Sequence, residues 1–162
     1  MNMFAFAIQM EKDAEALYRK MADGAPVPGI KKVLLMLAED EARHRFAIEQ
    51  LQKKLAVTPA AGVALDIKTV FDEMRQDAKT TKISVDAVDD YEKALEIEKQ
   101  GMDFYKEKFA DAEDAASAKL FKVLMRQETY HHKTVQNLLD MVLKPQWWVE
   151  NAEFDPHNSD FY

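Results

Sequence analysis

The sequence predicts an all-α protein, a bundle of four long helices arranged as two hairpins. Glycine and proline are scarce, at 4 and 5 in 162 residues, and β-branched runs are short, so long helices are favoured over a sheet. Four segments place apolar residues three and four apart, the spacing of one helix face. The first pair of segments recurs in the second at a constant offset: Glu98 lies 87 positions after Glu11, and His131 lies 87 after His44.

The first helix is expected from about Asn2 to Ala22, ending at Asp23-Gly24 ahead of Pro26 and Pro28. The second starts near Gly29 or Ile30 and runs to about Ala56, with Leu34, Leu37, Glu41, His44, Ile48 and Leu51 on one stripe. The run Thr58 to Gly62 breaks the chain. A short amphipathic helix follows, carrying Ile67, Val70, Phe71 and Met74 on one face. Ser84 is the expected N-cap of a third long helix, Val85 to Ala110. The fourth runs from about Asp114 to Leu143, before Pro145, with the stripe Phe121, Leu124, Glu128, His131, Val135 and Leu138.

Each hairpin has a short turn, and a connection from about Val57 to Ser84 separates the two. A connection of that length can carry the chain from one end of a bundle to the other, the crossover topology of ferritin-like folds. Residues 1–144 are expected to form the bundle. Residues 145–162 contain Trp147, Trp148, Phe154, Phe161 and Tyr162, and this aromatic tail is expected to dock on the bundle or on a second subunit of a homodimer.

A net charge of -7 and a pI near 5.1 argue against a nucleic-acid or anionic-membrane partner. With no cysteine, disulfides, thiolate metal sites and thiol redox chemistry are excluded. The apolar start, Met1 to Met10, lacks a basic leader and a small-residue cleavage site and continues into the first helix. No stretch reaches the ~18 apolar residues of a membrane span. A cytoplasmic location is therefore expected.

The repeat carries the chemistry. At the same offset Tyr18 aligns with Tyr105 and Glu41 with Glu128, with no gap between. Each copy gives Glu, then Tyr seven residues on, then Glu-x-x-His on the next helix. A single Glu-x-x-His is usually a solvated pair, but here Glu41, His44, Glu128 and His131 occupy core-stripe positions. Four helices then aim four carboxylates and two imidazoles at the bundle centre. One isolated buried charge costs several kcal/mol even after relaxation, whereas two divalent cations balance four carboxylates. A Glu from each of two helices and Glu-x-x-His from the other two is the di-iron carboxylate pattern. The ligands are expected to be Glu11, Glu41, His44, Glu98, Glu128 and His131, with Glu41 and Glu128 bridging. Tyr18 and Tyr105 are expected to donate to ligand carboxylates. Oxygen and imidazole donors suit two iron ions or manganese, and zinc is possible. Glu15, His132 and His157 are expected to be surface residues.

The chain resembles the ferritin-like domain of the rubrerythrin family over residues 1 to about 143, most closely in Ala94 to Lys99, Asp103 to Tyr105 and Glu39 to His44. The resemblance implies a non-haem di-iron oxidoreductase that reduces hydrogen peroxide, or less readily dioxygen, and is re-reduced by a small electron-transfer protein. Two departures stand out. The family's appended rubredoxin-like domain needs cysteines, so electrons here must come from a separate protein. Typical rubrerythrins also carry an extra Glu three residues after the ligand matching Glu98, where this chain has Gly101. Gly101 is expected to leave open space beside the metals. The remaining four-Glu, two-His set is similar to bacterioferritin ferroxidase sites, so a ferroxidase or iron-handling protein is the alternative. A hydroxylase or manganese catalase on the same scaffold, or a bundle with structural zinc, also stays open.

Overall fold

The computed structural model describes residues 2–59, 61–77 and 88–144. It is all-helical, with α1 at Met3–Gly24, α2 at Pro28–Gln52, α3 at Ala64–Asp77, α4 at Val88–Ala110 and α5 at Ala115–Leu143. Local chemistry sets several of the ends. The Asn2 side chain accepts from the Ala5 amide at 2.8 Å and caps α1, and Asp114 accepts from the Ser117 amide at 2.9 Å to cap α5. Such a cap contributes about 1 kcal/mol. Pro28 opens α2, where its missing N–H has no intrahelical acceptor to lose. Asp89 and Asp90 in the first turn of α4 and Lys108 in its last complement the helix dipole.

The second helix ends at Gln52, four residues short of the expected Ala56. Lys54 adopts φ 56°, in the left-handed region, and the Leu55 amide turns back to the Gln50 carbonyl at 3.0 Å. That closure ends the helix although the residues beyond it have good helix propensity. The expected Ser84 cap and the aromatic tail, residues 145–162, lie outside the described residues.

The main packing is α1 on α2 and α4 on α5, giving two antiparallel hairpins, with α1 also meeting α4 and α2 meeting α5 and α3. Apolar side chains form two clusters. One gathers Tyr18, Leu34, Leu37, Ala94, Val135 and Leu138 with α3. The other gathers Ala7, Met10, Ile48, Tyr105, Phe121 and Leu124. The chain leaves α2 at the second cluster, where Val57 packs, and re-enters at the first, where Val63 and Val88 pack. The connection therefore crosses the length of the bundle, and the fold is a ferritin-like four-helix bundle. On α3, Ile67, Val70, Phe71 and Met74 are all buried, each contributing on the order of 1.5–3 kcal/mol against exposure. Tyr130 on α5 ties the crossover down by donating to the Ala64 carbonyl at 2.9 Å. Among the described residues, no helix is long and apolar enough to cross a membrane.

Candidate metal centre

Along every long helix the two apolar clusters are separated by polar residues facing inward. These are Glu11 on α1, Glu41 and His44 on α2, Glu98 on α4, and Glu128 and His131 on α5. All six are buried, at 0–3% exposure. The residues expected from the repeat are thus brought together in one layer of the core.

The layer has two related halves. In one, His44 Nδ1 lies 2.7 Å from Glu128 and 3.7 Å from Glu11. In the other, His131 Nδ1 lies 2.9 Å from Glu41 and 3.7 Å from Glu98. Glu41 touches both, since its other oxygen is 3.1 Å from His44 Nδ1. The two imidazoles stack at 5.3 Å between centroids, 10° from parallel. Glu41, His44, Glu128 and His131 each offer a ligand atom, all within 4.8 Å of one another.

Glu41 Oε2, His44 Nδ1, Glu98 Oε2 and Glu128 Oε1 are buried without a well-formed hydrogen bond, the imidazole nitrogen facing Glu128 Oε1 at 2.7 Å and Glu41 Oε2 at 3.1 Å as ion-pair contacts. Each such atom costs about 1–3 kcal/mol, and more when charged. Their oxygen and imidazole character fits a pair of hard or borderline divalent cations. Without such cations the carboxylates respond to burial and to each other. Burial, then the charges of Glu128 and Glu41, pushes Glu11 well above the usual carboxylate range. Burial, Glu41 and Glu128 do the same to Glu98. Burial also acts upward on Glu41, but His131 and His44 outweigh it and hold that carboxyl low.

The tyrosines reach across the hairpins. Tyr18 donates to Glu98 and Tyr105 donates to Glu11. Both phenols are buried, at 1% and 0% exposure, so each holds one carboxylate oxygen and leaves the other facing inward. Burial, then the nearby glutamates, keeps both phenols protonated by raising them well above their ordinary value.

Gly101 differs from expectation. The space beside it is filled: a Cβ built there would lie 2.8 Å from Glu128 Oε2 and 3.2 Å from Glu128 Cδ. Glycine lets the Glu128 side chain pack against the backbone of α4. Glu15 and His132, expected at the surface, are both half-buried. Glu15 pairs with Arg19 at 2.9 Å and with Arg45 at 3.4 Å. His157 lies outside the described residues.

The pattern search missed Asp40 and Gln127. His131 Nε2 donates to Asp40 Oδ2 at 2.8 Å, and His44 Nε2 donates to Gln127 Oε1 at 2.8 Å. Asp40 also takes a 2.7 Å ion pair from Arg43. Burial alone raises Asp40, but His131 and then Arg43 bring it down to about 2. The available signal was the repeat itself, because the residue before each motif Glu is polar and Gln127 lies 87 positions after Asp40.

The sequence model described as Rubrerythrin matches residues 2–139. The chain belongs to the rubrerythrin family. No curated protein and no solved structure matches it. Rubrerythrin-family membership and the buried cluster of two histidines and two glutamates make this a redox-active protein of the di-iron oxidoreductase type, with a site for iron or a similar divalent metal.

Proposed function

We propose that Glu11, Glu41, His44, Glu98, Glu128 and His131 hold two iron ions and that the site reduces hydrogen peroxide, or less readily dioxygen. The carrying observation is that four carboxylates and two imidazoles, all buried, meet in one layer of the core, with ligand atoms of Glu41, His44, Glu128 and His131 within 4.8 Å of one another. Manganese or zinc would satisfy the same donors. Two bound ferrous ions supply the two electrons that, with two protons, convert one peroxide to two waters.

The chain's own residues set the geometry and charge. Glu41 reaches both histidines and would serve both ions, with Glu128, beside His44, its counterpart in the repeat. Glu11 and Glu98 serve one half each, steadied by Tyr105 and Tyr18. The four carboxylates offset the metal charge, and the apolar clusters on either side exclude bulk water. No side-chain base is assigned. On this reading the electrons come from outside these 162 residues, which hold no cysteine for an iron–sulfur or rubredoxin-type centre. The same reading takes the protein to be a cytoplasmic homodimer.

The deciding experiment is metal analysis of anaerobically purified protein followed by stopped-flow oxidation with peroxide and with dioxygen. Rapid, stoichiometric oxidation by peroxide supports the reading. A site that oxidises only with dioxygen and retains ferric product overturns it. Gly101, by removing the family's extra carboxylate, favours the second reading of a ferroxidase or iron-handling protein. Light scattering distinguishes this one, because a storage cage is far larger than a dimer.

A further inference from the structure

The two halves of the site match in every ligand but differ directly behind the histidines. Each imidazole turns Nδ1 toward the cage and donates from Nε2 to the residue preceding the motif glutamate of the other hairpin. For His131 that residue is Asp40, an anion held by Arg43 and 2% exposed. For His44 it is Gln127, a neutral amide. Both acceptors hold the Nε2 proton, so the nitrogen that a metal would take, by displacing its proton, is Nδ1, which faces Glu41 in His131 and Glu128 in His44. Only Asp40 adds a negative charge behind the ring, and a carboxylate there makes imidazole a stronger donor to a metal than an amide does.

We propose that Asp40 and Gln127 are positioning residues that make the two metal positions unequal, the ion on His131 being held more tightly than the ion on His44. The inference rests on the proposed ligand set. Gln127, Asp40 and His131 all border one cavity of about 480 Å³, which Gly62, Val63 and Ala64 also line.

The test titrates cobalt(II) into the metal-free full chain without oxygen, followed by calorimetry and by visible absorption. The wild type takes two ions in two resolved steps. His131→Ala removes the tighter step and His44→Ala the weaker one, which assigns them. Asp40→Asn keeps an acceptor but removes the charge, and weakens the tighter step by roughly 10- to 100-fold while the other stays within about threefold. Gln127→Glu supplies the missing charge and tightens the weaker step, bringing the two together. If Asp40→Asn does not fold, Gln127→Glu and the histidine variants decide alone. Equal affinities in the wild type, or equal weakening of both steps by Asp40→Asn, overturn the inequality and leave the ligand set standing. Fewer than two ions in the wild type overturn the ligand set, and this inference with it.

Discussion

The phenol of Tyr18 donates to the carboxylate of Glu98, 80 residues away on the other hairpin. Tyr105 and Glu11 make the reciprocal bond. Each hairpin therefore orients one buried carboxylate of the other. Tyr18→Phe removes the donor and leaves Glu98 Oε1 buried without a partner. The expected cost is about 1–3 kcal/mol in the metal-free chain and roughly 10- to 100-fold in metal affinity. Chemical denaturation and metal titration measure the two. An unchanged affinity in Tyr18→Phe counts against the orienting role.

Gly101 separates stability from metal binding. An alanine Cβ there sits 2.8 Å from Glu128 Oε2, the far end of a flexible side chain that can swing away. Alanine in a helix gains up to about 1 kcal/mol over glycine. Gly101→Ala should therefore change the metal-free melting temperature little while weakening metal binding, because Glu128 is displaced. Gly101→Glu should displace Glu128 for the same reason and not add a seventh ligand. Full metal affinity in Gly101→Ala, measured by titration, would contradict the packing argument.

Metal removal should have a pH signature. In the metal-free chain Glu11 and Glu98 are raised by burial first and by neighbouring carboxylates next. Burial lowers His44 and His131, but the facing glutamates outweigh it and raise both above 6.5. A raised group stabilises the fold below its unfolded value, and that contribution is lost as pH climbs through the folded value. Glu41 and Asp40 are lowered, so their contribution is lost only in acid, below 4.5 and 3.8. Metal binding needs deprotonated ligands and strengthens in the opposite direction. The melting gap between loaded and metal-free protein should widen from about pH 6 to about pH 8. Scanning calorimetry showing a constant or shrinking gap would contradict a buried site of this composition.

Much of the site was legible because the repeat fixes it twice. Glu41 and His44 stand where a helix stripe otherwise carries Leu or Ile, and the same substitution recurs at Glu128 and His131. The partners of the tyrosines were only half legible, since a stripe shows which face Tyr18 occupies but not which helix it meets. Asp40 was hidden for a related reason. One residue off the stripe, it passes for a solvated acid until α5 packs over it and brings His131 to 2.8 Å. Gly101 was misjudged because an absent side chain suggests space, whereas the neighbouring Glu128 fills it. The early end of α2 depends on a left-handed Lys54, for which the sequence carries no glycine or asparagine signal.

The central claim is a two-metal site bridged by residues from both hairpins, and metal content in wild type and Glu41→Ala tests it most directly. Elemental analysis of anaerobically iron-loaded protein should give about two ions per chain in the wild type. Glu41 contacts both His44 and His131, at 3.1 and 2.9 Å, so Glu41→Ala should weaken both ions, whereas His44→Ala should weaken mainly one. At most one ion per wild-type chain, together with no change in Glu41→Ala, would contradict the account.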